Sequence, residues 1–427
     1  MSATRVLVLG SYPTVRPIHG GQIRLAEIVA AYRARGIEVR QVNAWADNPL
    51  YRRRRSLSRA ATDALELALP PEALRSHRGL RAPFIEDLAS GDVLAADERR
   101  LASIEAYGGG PVDWVHVEQP WLWPVALQLR RRGTLGAFRL VYGSQNVEHE
   151  LKREIFRQYR IEGDALIEAI EALEQRAARE ADLVAAVTRE DARWLARWSL
   201  REPLLAPNGV RAWKSAPEAL QRWRARLGDD PFALYVASAH PPNVVGFCES
   251  FGESLAALSP TQRIVLAGTV AEHVVGSEWF RRWGPLNERR SVALGVLDST
   301  DLDALKDLAH VFVVPVTRGG GSNLKTAEAL QAARNVVATP FAMRGYEHLY
   351  DLPGLLVAEP GAAFARAVHE SLLRPAPPCD ERSAARRGML AWSHTLAALV
   401  AAVAEPARAD DAQPEGRQAL PAPVVGA

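Results

Sequence analysis

The sequence predicts an α/β protein made of two doubly wound halves, and three observations carry that expectation. Short apolar runs, such as residues 5–10 and 311–316, alternate with helical stretches, as buried parallel strands do between helix layers. The alternation pauses and restarts around Pro207-Asn208-Gly209-Val210, where Asn-Gly is a strong turn signal. The chain's 427 residues exceed what one ordinary core organises, so two domains are expected.

The first half opens with a strand at 5–10 and a loop holding Pro13, Pro17, Gly20 and Gly21. A helix follows over about 22–35, with Leu25, Ile28, Val29 and Tyr32 at helical spacing, and Gly36 stops it. A strand at 37–42 completes a strand–loop–helix–strand unit. Gly20 and Gly21 then stand at the carboxyl edge of the first strand, where backbone can approach a ligand, although glycines before helices also serve purely structural turns. Residues 46–110 lack a clear pattern. Their arginine run, 52–55, reads as a solvated face, with an anionic membrane surface or a phosphate-bearing acceptor as the alternative partner. A strand at 113–118 leads through a loop at 119–124 into a helix ending near 130–132. Trp121 and Trp123 in that loop read first as core packing and second as stacking surfaces for a sugar. Another strand, 139–143, runs into a polar stretch at 144–150; a helix at 164–180 and a strand at 182–187 follow, and Thr188 caps the next helix.

The second half begins with a connecting helix at 211–230. Its strands are expected at 232–237, 263–267, 291–294, 311–316, 336–338 and 355–357, with helices near 244–258, 301–309 and 323–333. Residues 380–404 form one more helical region, and the Ala-, Pro-, Asp- and Gln-rich end from 406 is expected to be disordered. The domains are therefore drawn at 1–207 and 208–378, with a helical crossover at 379–405 and a tail at 406–427.

A formal charge of +2 gives no general pull toward nucleic acid. Cys248 and Cys379 are far apart and have no metal-ligand spacing, so no disulfide framework is implied and a reducing cytoplasm fits. The start of the chain does not read as a signal peptide, and no apolar run is long enough to cross a bilayer. A cytoplasmic location is expected, with peripheral contact at the inner membrane face as the variant the arginine run allows. The arginine and alanine bias points to a GC-rich bacterial genome.

The most informative stretch is 315–330. It reads as the end of a buried strand, a turn at Gly319, Gly320 and Gly321, and the first turns of a helix that Ser322 or Asn323 can cap. Lys325 falls in the first helical turn, where the positive end of the helix dipole disfavours a cation, unless an anion such as a diphosphate shares the site. Glu328 lies one turn on, on the same face, where a carboxylate can accept hydrogen bonds from the two ribose hydroxyls. The alternative is a glycine-rich loop with a solvated Lys–Glu pair. Arginine is used almost throughout, and the only lysines are Lys152, Lys214, Lys306 and Lys325, so a lysine inside this loop favours the anion-site reading.

Two doubly wound halves, an Asn-Gly hinge and this glycine–lysine–glutamate site resemble the GT-B glycosyltransferases, specifically glycosyltransferase family 4. The resemblance is carried by 320–330 and supported by 19–24, 145–148, 181–188 and 207–210, with 235–243 and 293–298 resembling one branch of the family. It implies two Rossmann-like domains facing across a cleft and a C-terminal helix returning to the first domain. It also implies that Glu328 binds the donor ribose, and that Lys325 with Gly320, Gly321, Ser322, Asn323 and Leu324 holds the diphosphate and sugar. Val296 and Leu302 would lie beside the base, and Gly20 and Gly21 would face the donor phosphates. At three places this chain departs from the family pattern. Gly320 stands where the first glutamate of the paired motif is usual; Ser238, His240 and Asn243 stand where an arginine and a lysine are common; and Gln145 replaces a histidine. Contacts from the missing carboxylate are therefore absent or replaced.

The resulting expectation is a retaining, hexosyl-type transferase of surface polysaccharide or glycoconjugate synthesis. It would use a nucleoside-diphosphate sugar without a metal or other cofactor and act on a glycan, lipid-linked or other acceptor. Asn146, Glu148 and His149 are the acceptor-side candidates, with a helix-start role as the alternative for Glu148. Two rivals remain open at this point: a sugar-nucleotide-binding scaffold that has lost turnover, and a sugar-nucleotide epimerase on the same fold.

Overall fold

A computed structural model describes residues 3–15, 17, 19–47, 51–52, 63–75, 79–80 and 82–405. Thirteen strands form two separate sheets among these residues. The first sheet contains β1 (Arg5–Gly10), β2 (Glu38–Ala46), β3 (Ala64–Leu69), β4 (Trp114–Glu118), β5 (Arg139–Ser144), β6 (Leu183–Ala186) and β7 (Leu204–Leu205). Its order is β3-β2-β1-β4-β5-β6-β7, every pairing parallel. The second contains β8 (Phe232–Val236), β9 (Arg263–Ala267), β10 (Ser291–Gly295), β11 (Val311–Val314), β12 (Asn335–Ala338) and β13 (Leu355–Val357), in the order β10-β9-β8-β11-β12-β13 and again all parallel. Each sheet reverses winding direction once, between β1 and β4 and between β8 and β11. Doubly wound sheets open a ligand crevice at the carboxyl ends of the strands flanking such a reversal.

The strands are short and apolar because both faces are covered. Every residue of β4 is buried, His116 and Glu118 included. Glu118 is compensated by Arg24, whose Nε lies 2.8 Å from Glu118 Oε1, both side chains 1% exposed. Arg24 Nη1 also donates to the Ala206 carbonyl at 2.8 Å, which ties the first helix to the exit of the first sheet.

The first helix runs Gly20–Ala34, two residues earlier than its apolar spacing suggests, because the His19 side chain accepts from the Gln22 N–H and caps it. Gly20 and Gly21 are thus helical residues and not loop. The unpatterned segment contains β3 and the helices Ile85–Ala95 and Glu98–Gly108. The polar run after β5 becomes the helix Glu148–Tyr159, anchored by Ile155 and Phe156. The connecting helix shortens to Pro217–Leu227, with Pro217 setting its start and Gly228, at φ 81°, ending it. The next helix is Pro241–Phe251 and not 244–258; it starts on two prolines and stops at Gly252, before a short turn at Leu255–Ala257. Three helices between β9 and β10 (Val270–Val275, Glu278–Arg282, Gly284–Arg290) and one after β13 (Ala362–Leu373) had no clear sequence signal.

After Glu381–Gly388 the chain returns to the first sheet. Val210 N–H donates to the Leu390 carbonyl at 2.8 Å, and Trp392, Leu396, Leu399, Val400 and Val403 enter the core that holds Val6, Leu25, Ile28 and Trp114. Trp114 Nε1 donates to the Val403 carbonyl at 3.1 Å. Two strand crossings therefore join the halves, near 206–216 and 388–392. Arg52 is exposed and pairs with Asp47; the rest of the arginine run and the tail 406–427 lie outside the described residues.

Candidate active site between the two sheets

The glycine turn follows β11, which ends at Val314, two residues before the apolar run does. Gly319 and Gly321 hold φ of 127° and 58°, and the helix Leu324–Gln331 starts just after. The turn is pressed against the loop that follows β5. A Cβ on Gly321 would sit 2.4 Å from the Gln145 carbonyl oxygen, and one on Gly320 would sit 2.8 Å from Asn146 Oδ1. A left-handed φ and a backbone wall together leave glycine as the residue that fits at 321. Further bonds fasten the turn across the domains. Asn208 Nδ2 donates to the Ser322 carbonyl at 2.9 Å, and the Tyr346 hydroxyl lies 3.3 Å from the Asn323 carbonyl and 3.4 Å from that of Asn208. A Cβ on Gly20 would meet Leu324 at 3.2 Å.

A cavity of about 310 Å³ opens beside this turn. Its first-domain wall includes Tyr12, His19, Gly21, Gln119 and Glu148; its second-domain wall includes His240, Asn243, Gly319, Gly320 and Asn323. Asn323 occupies the N-cap position of Leu324–Gln331 but makes no side-chain cap bond, and its Nδ2 is buried without a protein partner. In the first helical turn Thr326 N–H donates to the Asn323 carbonyl at 3.0 Å, and the N–H groups of Leu324 and Lys325 precede any intrahelical acceptor. Lys325 Nζ donates to Asn243 Oδ1, a neutral oxygen. Burial lowers the Lys325 ammonium to about 8, with the Glu328 carboxylate opposing that shift. Burial and then the neighbouring His240 bring His19 down to about 4, and His240 is itself lowered by desolvation, Lys325 and Lys152. The glycine turn and the unpartnered Asn323 N–H thus face the cavity, while Lys325 does not line it but lies behind the lining Asn243 amide, to which it donates; the arrangement is complementary to an anion.

The remaining expected residues divide between this wall and its surroundings. Glu328 Oε1 lies 3.3 Å from Lys306 Nζ, with the carboxylate half-buried and the lysine buried over the Trp213 ring at 4.9 Å. Leu302 sits one turn before Lys306 on Ser299–Leu308, and Val296 is exposed just past β10; neither lines the cavity. The Ser238 carbonyl accepts from Asn243 Nδ2 at 2.9 Å and thereby orients the amide that meets Lys325. His149 does not reach the cavity. Its Nδ1 is 2.6 Å from Glu174 Oε2, and Glu174 also accepts from the N–H groups of Glu148 and His149, so the imidazole belongs to a buried clamp on the helix start.

Two family descriptions divide the chain. Glycosyl transferase 4-like domain matches residues 19–209, and Glycosyl transferases group 1 matches residues 230–373. The chain belongs to the group 1, family 4-like glycosyltransferases. No curated protein matches it by sequence. Among solved structures it is similar to sucrose-phosphate synthase from Thermosynechococcus elongatus, with a TM-score of 0.66, 18% identity, and coverage of 93% of this chain and 97% of that one. It is also similar to α,α-trehalose 6-phosphate synthase from Burkholderia multivorans (TM-score 0.62, 16% identity, 94% and 96% covered). A third is Anabaena HepE in complex with UDP and glucose (TM-score 0.57, 16% identity, 94% and 97% covered). At these identities the likeness speaks for the GT-B fold.

In this glycosyltransferase several cavity residues gave no functional signal in the sequence. Gln119, at the carboxyl end of β4, holds φ 67° and ψ 159°, a conformation glycine normally supplies. That geometry turns its amide into the cleft. The Tyr12 hydroxyl donates to Gln119 Oε1, and Gln119 Nε2 donates to Glu148 Oε1 at 2.9 Å. Asn146 Nδ2 reaches the same Glu148 oxygen at 3.0 Å. Glu148 is 2% exposed, and burial raises its carboxyl to about 7, against the lowering influence of Lys152 and the Asn146 bond. Among the described residues no helix is long and apolar enough to cross a membrane.

Proposed function

We propose that the enzyme transfers a hexose from a nucleoside diphosphate to a hydroxyl acceptor with retention of anomeric configuration. The observation that carries this reading is the closure of the glycine turn on the interdomain cavity, with Lys325 bonded to the lining Asn243 just behind it. As the C1–oxygen bond of the donor breaks, its electron pair goes to the diphosphate. The N–H groups of Leu324 and Lys325 and the Lys325 ammonium would stabilise that growing charge. Glu328, held at one oxygen by Lys306, keeps its other oxygen for the ribose hydroxyls, with Leu302 and Val296 toward the base. Gly20 and Gly21, at the start of the first helix, bring backbone to the phosphates from the other side. The acceptor hydroxyl forms the new C1–oxygen bond, and Glu148, titrating about 7, is the group placed to take its proton. The charge on the leaving group is met by amides and an ammonium, so the reading needs no metal.

Gly320 fits this packing. A Cβ there would meet the Asn146 side chain at 2.8 Å, so an acidic side chain would displace that amide, and amides of Asn146 and Asn323 line the cavity with this position instead. The same glycine keeps a second reading alive, a nucleotide-sugar-binding scaffold without turnover. Several solved neighbours are described with UDP, UDP-glucose or a UDP-forming activity, which makes UDP-sugars the first donors to try. The test is a panel of UDP-, GDP- and dTDP-sugars with hydroxyl acceptors. Transfer or slow donor hydrolysis supports the enzyme reading, tight binding without turnover across the panel favours the scaffold, and absence of nucleotide binding refutes both.

A further inference from the structure

The first-domain wall of the cavity carries charges that donor binding leaves unused. Lys152 Nζ lies 2.8 Å from Asp87 Oδ2, and both residues line the cavity. The ammonium is also 4.3 Å from the Phe84 ring centroid and 5.7 Å from that of Trp121. Lys152 is buried, whereas the Asp87 side chain is 40% exposed and its Oδ1 makes no bond to the described protein. Glu148 takes both of its amide bonds on Oε1, which leaves Oε2 unengaged although the residue is almost wholly buried. Asn323 Nδ2, buried and unpartnered, lines the same cavity. Among the described residues this wall thus presents two carboxylate oxygens that accept no protein hydrogen bond, one on the almost wholly buried Glu148, and Asn323 Nδ2 faces them from the second-domain wall, an arrangement suited to a polar ligand.

We propose that this wall is the acceptor subsite and that it selects an uncharged polyol, a sugar or glycan end with neighbouring hydroxyls, over a phosphorylated sugar. The inference rests on the donor reading above, because the donor occupies the facing wall. Hydroxyls can donate to Asp87 Oδ1 and Glu148 Oε2. A phosphate brings roughly one and a half to two negative charges and no donors. It would meet two carboxylates, and the ammonium that lines this wall among the described residues is already paired with Asp87. Lys152 could serve a phosphate only by releasing Asp87. The sucrose-phosphate and trehalose 6-phosphate synthases that share the fold carry a phosphate in their product names; this wall points to a different acceptor chemistry.

The experiment uses the full chain with saturation-transfer NMR. Glucose, methyl glucoside and maltose are titrated against glucose 6-phosphate and fructose 6-phosphate, with and without a nucleoside diphosphate. A neutral sugar is expected to bind at least about tenfold more tightly than its phosphate, since like-charge juxtaposition is costly. Asp87→Asn frees Lys152 and should narrow that gap about fivefold or more, while the nucleotide affinity stays at the wild-type value. Lys152→Met should loosen neutral sugars with nucleotide affinity unchanged. Phosphorylated sugars binding as tightly as neutral ones overturn the proposal, as does a gap that Asp87→Asn leaves untouched, or no sugar binding at all. Nucleotide affinity, read on the same samples, reports separately on the donor reading.

Discussion

Replacing Lys325 by methionine separates a ligand role from a structural one, because the two predict opposite effects on the free protein. Among the described residues the ammonium's hydrogen bond is to the neutral Asn243 oxygen, and burial has lowered it to about 8, so the folded state resists this charge. Since the folded value lies below the ordinary lysine value of 10.5, the side chain's stability contribution is present above the ordinary value and is lost as pH falls through about 8. Methionine removes that cost, so the ligand-free variant should match or exceed the wild-type melting temperature at pH 7. Nucleoside diphosphate binding should suffer instead. A hydrogen bond to a charged group contributes about 1.5–3 kcal/mol, which is roughly ten- to one-hundred-and-fifty-fold in Kd. Binding a diphosphate also restores the proton, so wild-type affinity should weaken above pH 8, approaching about tenfold per pH unit, while the variant shows no such slope. Calorimetric titrations at pH 7, 8 and 9 read both effects. A destabilised free variant with unchanged affinity would show that Lys325 is an architectural residue, and the donor-site reasoning would fail.

Glu328→Ala should raise the Kd for a nucleoside diphosphate about tenfold or more, yet leave inorganic pyrophosphate binding unchanged, because the carboxylate addresses the ribose; equal losses for both ligands would contradict that role. Gly321→Ala places a side chain at φ 58° and against the Gln145 carbonyl. The left-handed conformation alone costs roughly 1–2 kcal/mol, so a melting temperature a few degrees lower and weaker nucleotide binding are expected; wild-type behaviour would mean the turn does not pack across the cleft. Glu148 is held above its ordinary value, so the stability it contributes is present below that value and fades as pH rises through about 7. Glu148→Gln should therefore gain on the order of 2 kcal/mol relative to wild type between pH 5 and pH 8 in urea unfolding; parallel pH profiles would remove the charge-burial argument.

Much of the fold was legible because parallel strands buried on both faces read as continuous apolar runs. The helix Asp164–Glu180 shows the matching case for helices, its expected and observed bounds coinciding because a strong apolar stripe faces the core. Elements that lean on neighbours were harder to see. β3 is an edge strand with mostly half-buried residues, and the helices between β9 and β10 are each only five to seven residues long. The glycine turn was legible because its chemistry is local in sequence. On the opposite wall Asn146 and Glu148 were singled out because they follow β5 directly, whereas Tyr12, Asp87 and Gln119 were not, since they join them only through the winding of the first sheet. Lys152 did leave a trace, as one of four lysines in an arginine-rich chain. His149 misled for a physical reason: a histidine beside glutamates suggests proton chemistry, but Glu174, on another helix, fixes it inside the core.

Hydrogen exchange on the full chain, with and without a nucleoside diphosphate, tests the central claim most directly. The account predicts slowed exchange at the amides of 319–326, with a smaller effect across the cleft at 19–22 and 145–148. Protection confined to other segments, or none at saturating nucleotide, would contradict it.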